Sequence, residues 1–496
     1  MEKDKPICDV VRSRWRLWRW GGLTLALAAG WACGVGDREA SSIQAEARTA
    51  LVDLLRERPA KGALAGEAAS ALGASGDAES VPALIDALAY PEEFVVFRAV
   101  KALGEIGDAR AVAPLKAIFE KDQGSFVKVE TAVALHRLGA HDGEAWLIGM
   151  LERAGEGMLR ANASGALGRI GSKAAAPALR QAFSDSTDPA MRSSAAMALA
   201  KIGDRESIAL IGRSLVEAAD MSTALVMCQA LEMFGGPEAA AYLRETFMGI
   251  ETYGIRRWSL ESLGRIGDTS IGPDLQQLLT SPASASTRML AAEGLGLIGD
   301  TTAVSLLRSV FRSNPDSPVH LGAAWGLAKM GRGSEVSAEV ETVLGHANPS
   351  FQKKAMEVLG VARDTRRVYP LKEGLMWSAS DEWRKVAART LGRIGGTESV
   401  AALREAYPHL EKMDLRLEIV EALAGIELPE AREALSDILA RAEYTELRVR
   451  VLRALGLSGD LELVRVLRPH LTDPTPEVRL EAAMGVMRLI HGTQPE

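Results

Sequence analysis

Ser262-Leu263-Gly264-Arg265-Ile266-Gly267-Asp268 is a phrase that the chain rewrites along most of its length. Steps of 32 residues from Gly267 land on glycine at 107, 139, 171, 203, 235, 299, 331, 395 and 459, and Gly76 lies 31 residues before Gly107. Inside that run the glycine lapses at Arg363 and Glu427. Four residues before each of these marks stands a leucine, from Leu72 and Leu103 to Leu423 and Leu455. Eight residues after each mark comes a second one, from Leu84 and Leu115 to Leu435 and Leu467, interrupted by Ile211 and Glu339. A fixed period of this size is the signature of a solenoid, in which each unit buries its apolar face against its neighbours.

One unit shows what the period encodes. Asp108 is placed to cap a helix, and Pro114 falls in its first turns, where proline is least harmful. Leu115, Ile118 and Phe119 form a stripe at helical spacing. The polar break from Lys121 to Ser125 ends that helix, a second is expected from about Phe126 to Leu138, and Gly139 stops it in the left-handed region. No stretch carries a strand signal. The expected fold is therefore all-α, an α-solenoid of about 13 helical hairpins over residues 44–492, with a short tail at 493–496. The amphipathic stretch from about Ser42 to Arg58 is expected to open the array as a cap with a polar outer face. Arg363 and the Glu427-Leu428-Pro429 segment are expected to bend the array where the glycine stop is lost.

Residues 1–33 read differently. A basic cluster from Arg12 to Arg19, interleaved with Trp15, Trp18 and Trp20, precedes an apolar stretch from Gly21 to Ala32. That stretch is too short to span a bilayer comfortably, which takes about 20 residues, and it suits the apolar core of a secretory signal. It ends on Cys33 and resembles a bacterial lipoprotein signal, which implies lipid attachment at Cys33; Gly30 and Trp31 depart from that pattern. Ordinary cleavage near Ala32 and an uncleaved anchor are the alternatives. Residues 34–43 are expected to be a tether, and the protein is expected to be exported to the cell envelope. Cys228 stands where other repeats place Ala196, Ala292, Ala324 and Ala388, so it reads as a small core residue, and no disulfide framework is present.

The run Met191-Arg192-Ser193-Ser194-Ala195-Ala196-Met197-Ala198-Leu199-Ala200-Lys201-Ile202-Gly203-Asp204, repeated in kind from Arg288 to Asp300, resembles HEAT repeats of the subtype named for phycobilin lyases. The resemblance covers roughly residues 45–490. It implies that the cation found eleven residues before most marks, from Lys128 and Arg160 to Arg448, and acidic residues such as Asp188 and Asp316, bond between adjacent units. For function a fold of this kind says little.

Three enzyme families with related repeats each require something that can be looked for in these residues. Deoxyhypusine hydroxylases hold iron through His-Glu pairs, and none of the seven histidines here is followed by glutamate. Bilin lyases act on cytoplasmic light-harvesting proteins, to which an exported chain has no obvious access; an enzyme or accessory subunit related to them, or a purely structural envelope component, is the alternative reading. HEAT-like DNA glycosylases need a basic face, whereas the net charge is -7 and residues 1–32 are themselves basic, so the remainder is more acidic still. No P-loop, no G-x-S-x-G and no clustered metal ligands occur, and His141-Asp142 reads as a solvated turn pair. The chain is expected to be non-enzymatic, with no cofactor and no metal.

What remains is the face of each hairpin's trailing helix, which lines the concave side of HEAT solenoids. Positions nine, six and two before each mark share one side of that helix. Its middle units read Ser194/Met197/Lys201, Val226/Gln229/Met233, Trp258/Glu261/Arg265, Leu290/Glu293/Leu297 and Gly322/Trp325/Lys329. Tryptophans and methionines with a charged rim are what binding surfaces favour. Met197, Met233, Trp258, Arg265, Trp325 and Lys329 are therefore expected to bind a protein or peptide partner, with packing inside the array as the alternative. The cations Arg137, Arg169, Lys201, Arg265, Lys329 and Arg393, two residues before their marks, form either a basic stripe or a set of helix-dipole partners.

Overall fold

The computed structural model describes residues 37–57, 62–121, 126–152, 157–218, 220–313 and 317–492, and among these every regular element is helical. The leader, with Cys33, and the tail at 493–496 lie outside the described residues, as does Asp316. Leading and trailing helices alternate in the expected register. Lys173–Ala175 and Ala176–Asp185, for example, lead into Pro189–Ile202.

The periodic leucines explain themselves in the packing. Those four residues before the marks, Leu135 to Leu423 among them, are fully buried, as are Leu115, Leu147 and Leu179 eight residues after. Each contributes on the order of 2 kcal/mol of burial, so the period records the core. At the exception, Glu339 is exposed on the short helix Ser337–Thr342, and Val340 beside it is fully buried in the core.

The phrase Leu-Gly-x-Ile-Gly contains two glycines with different tasks. The second ends the trailing helix with positive φ, as at Gly139 (81°) and Gly267 (80°). The first sits where the next trailing helix crosses. A methyl group on Gly296 would lie 2.5 Å from the Gly326 Cα, and one on Gly168 would lie 2.7 Å from the Ala198 Cα. Successive trailing helices thus touch backbone to backbone.

Arg363 does not break the pattern locally. It adopts the left-handed conformation (φ 50°) and donates its backbone N–H to the Leu359 carbonyl, as the glycines do at their marks. A side chain in that region costs about 1 kcal/mol or more. Arg363→Gly is therefore expected to stabilise the chain by roughly 0.5–1 kcal/mol after the glycine's own entropy is counted. A urea titration checks this; a lower midpoint for the variant would show that the arginine is not strained.

The recurrent cation eleven residues before the mark acts mainly inside its own hairpin. Arg160, Arg256, Arg288 and Arg384 each donate Nε–H to the carbonyl nine residues back, at 2.8–2.9 Å. Those carbonyls belong to the last turn of the leading helix, where acceptors lack partners and a cation suits the dipole. The inter-unit bonding that the resemblance implied is made by other atoms of some of these side chains, as with Arg256 to Thr287 and Arg448 to Asp473. Asp188 caps its own helix at the Ala190 N–H.

The chain forms two compact units. One comprises residues 112–428, in which one buried core runs from Val129 to Leu359. The other joins, among the described residues, the stretch from Asp37 to Ala111 with that from Pro429 to Gly492. Here two expectations are corrected. The opening helix is Asp37–Arg56, so residues 37–43 are helical rather than a tether. Nor is that helix a polar cap: it packs against the closing helix, Pro476–His491. Ile43, Ala47, Leu51, Leu54 and Leu55 are fully buried, and Val478, Ala482, Ala483 and Val486 of the closing helix are too. Three two-pronged ion pairs flank this contact: Arg465 with Glu39, Arg468 with Glu46, and Arg479 with Glu57.

Candidate functional site: the face of the trailing helices

The face expected to bind lies on consecutive trailing helices of the unit 112–428, and the structure divides its residues sharply. Met233 is half exposed (50%), Arg265 and Lys329 are exposed, and Met197 and Trp258 are half-buried. Trp325 is not on the surface. It is 7% exposed, and Leu290, Glu293 and Gly322, expected on the same face, are buried with it. The cause is the close approach of Ala285–Leu297 and Pro318–Leu327 at Gly296 and Gly326, reinforced where Gly322 meets the Met289 backbone. With no side chain to hold these helices apart, their facing positions are covered.

Around Trp325 the burial creates a polar knot spanning four trailing helices. Glu293, 2% exposed, lies 2.5 Å from Lys354 Nζ and 3.6 Å from Arg257. Lys354 also reaches Glu357 at 3.1 Å and stands over the Trp325 ring, 5.8 Å from its centroid. Arg257 bonds Glu261 at 3.0 Å. Burial alone would lower the Arg257 pKa, but the Glu261 hydrogen bond and the Glu293 charge outweigh it and hold the guanidinium above its ordinary value. The Trp325 indole N–H is buried without a hydrogen-bond partner in this knot. Lys354 and Arg257 were not singled out by sequence reasoning, because they matter only once four helices are stacked.

The cations two residues before the marks fall into two groups. Arg169 is tied to the buried carboxylate of Glu130 at 2.8 Å, and Arg265 pairs with Glu232 at 2.9 Å. Lys201, Lys329 and Arg393 are exposed, with no ion-pair partner among the described residues. Among the described residues no three potential metal ligands converge, and no helix is long and apolar enough to cross a membrane. The turn pair His141-Asp142 is absorbed by neighbours: His141 Nδ1 lies 3.0 Å from His136 Nδ1, and Lys116 pairs with Asp142 at 2.7 Å.

The family model of HEAT repeats matches residues 47–136, 144–220, 251–328, 272–360 and 368–448, which is more than half of the chain. The chain belongs to the HEAT-repeat family. Among individually curated proteins no relative matches. Among solved structures, yeast importin-β (Kap95p) is similar at 14% identity with a TM-score of 0.46, over 90% of this chain and 71% of that one. Human deoxyhypusine hydroxylase is similar at 22% identity and a TM-score of 0.27, over 59% of this chain and 99% of that one. The phycocyanin lyase complex of CpcE and CpcF from Nostoc is similar at 20% and 0.27, over 56% and 94%. By its helical hairpins and its family match this chain is an all-α solenoid, a fold consistent with a scaffold or protein-interaction role.

Proposed function

We propose that this HEAT-repeat protein is a non-enzymatic scaffold of the cell envelope that holds a protein or peptide on the concave, trailing-helix face of residues 112–428. The observation that carries the reading is the set of exposed residues on that face, Met233 on one trailing helix and the cations Lys201, Arg265 and Lys329 on others. An apolar anchor within a charged rim is the usual anatomy of a protein interface. A photo-crosslinking residue placed at Met233 or at Lys329 is expected to join the protein to its partner in intact cells. The same probe at Trp377, an exposed residue at the end of a leading helix, is expected to give no such product. Equal products at all three positions, or none at 233 and 329, would dismiss this face.

The proposed location rests on the leader alone. Export follows from its basic and apolar segments, and membrane attachment from lipidation at Cys33. Cys33→Ser is expected to move the protein from the membrane fraction to the soluble one. Retention in the membrane fraction would argue for an uncleaved anchor instead.

A further inference from the structure

The row two residues before the marks has an order that helix dipoles do not explain. From one hairpin to the next it reads Lys201, Met233, Arg265, Leu297, Lys329, Val361, Arg393. Cations recur every 64 residues, and each intervening position is aliphatic. A dipole preference would favour a cation at the end of every trailing helix. Here it is satisfied only at alternate ones. The four cations are exposed, Met233 is 50% exposed, and Leu297 and Val361 are half-buried. Of the cations, only Arg265 has a carboxylate partner among the described residues, in an exposed pair with Glu232 that a competing anion can replace. Arg137 and Arg169 precede the row and break its alternation; Arg169 is held by the buried Glu130.

We propose that this row is a ruler for one kind of ligand: an extended peptide in which acidic and aliphatic side chains alternate at every third residue. The proposal rests on the trailing-helix face being the binding surface and adds the chemistry of its occupant. Packed helices lie about 8–10 Å apart. A polyproline II chain advances about 9.3 Å in the three residues of one turn, which returns its side chains to the same side. One turn of such a peptide therefore matches one hairpin of the array. An α-helix would need about six residues for the same advance and would present a much wider surface. Glutamate or aspartate at one contact position would meet Lys201, Arg265, Lys329 or Arg393. An aliphatic residue three positions later would lie on Met233, Leu297 or Val361.

The test uses a fluorescein-labelled synthetic peptide of about 19 residues, three for each step of the row, with glutamate and leucine alternating at every third position and proline and alanine between. Binding to the full chain is followed by fluorescence anisotropy. The spaced peptide is expected to bind roughly tenfold or more tightly than a peptide of the same composition with its glutamates and leucines in separate blocks, and to weaken as salt is raised. The variant Lys201→Glu/Lys329→Glu/Arg393→Glu, with unchanged circular dichroism, is expected to lose about tenfold or more, because three favourable charge contacts become repulsive. Met233→Ser alone is expected to weaken binding with no change in its salt dependence. Equal binding of spaced and blocked peptides, unaltered binding by the triple variant, preference for a lysine-containing analogue, or no binding of any peptide would each overturn the proposal. Cross-linking from Met233 and Lys329 in cells would still stand in those cases if the face binds a partner of another kind.

Discussion

A chain truncated before Pro476 is expected to lose the ordered structure of its opening helix, more than 400 residues away in sequence. The opening helix Asp37–Arg56 buries Ile43, Leu51, Leu54 and Leu55 between the hairpin that follows and the closing helix Pro476–His491. Removing the closing helix uncovers part of that set. With about 1.5–3 kcal/mol for each large aliphatic side chain, the loss is on the order of 5 kcal/mol or more, comparable with the whole stability of an ordinary domain. The carboxylates of the flanking ion pairs, Glu39, Glu46 and Glu57, are open to solvent, so the pairs align the helices and contribute little to holding them. Hydrogen exchange is expected to be fast across residues 37–56 in the truncated chain and slow in the intact one, and a synthetic peptide of residues 476–492 is expected to restore protection. Unchanged protection after truncation would mean that the first hairpins stand alone, as the ends of an open array would.

Glu293→Ala is expected to destabilise the unit 112–428 by about 2 kcal/mol or more, because it removes the buried carboxylate that Lys354 and Arg257 share and leaves each with one more accessible partner, Glu357 or Glu261. Lys354 is 15% exposed and already covered by the Trp325 ring, and Arg257 is half-buried, so neither is free to move fully into water. Glu293→Gln keeps an acceptor and is expected to cost less. The decisive comparison is Glu293→Ala/Lys354→Met, which removes carboxylate and ammonium together and replaces the lysine stem with an apolar one. Its midpoint in urea is expected to recover most of the loss, since exchanging a buried ion pair for apolar groups is often neutral. If Glu293→Ala lies within about 1 kcal/mol of the parent, the knot is wetter than its burial implies. If the double variant is no better than the single one, Lys354 is held by Glu357 rather than by Glu293.

The two cases show where sequence reading reaches its limit in this chain. Hairpin period, helix ends and core leucines are local properties. Leu263 is buried and Gly267 is left-handed because of the helix each belongs to, so a 32-residue pattern is enough to find them. The same locality made the HEAT resemblance legible, and Cys228 could be placed in the core because alanine occupies its position in other hairpins.

Surface assignments did not follow as well, because they depend on how far apart two helices settle. Trp258 and Trp325 stand in different positions of the same repeating face. The first remains half-buried and the second is nearly closed off, since Gly296 and Gly326 let their two helices touch. The alternation of cation and aliphatic residues at every second hairpin was visible in the letters. Its meaning required knowing that Lys201, Lys329 and Arg393 are solvated while Arg169 is held by Glu130. The pairing of the opening and closing helices had no counterpart in the period at all. An amphipathic helix at the end of a repeat array has one apolar face, and composition alone does not say what will cover it. The repeat and its core were written in short-range periodicity; the buried knot around Glu293 and the joining of the two ends arose only when distant helices came into contact, because burial there is a property of the neighbour as much as of the residue.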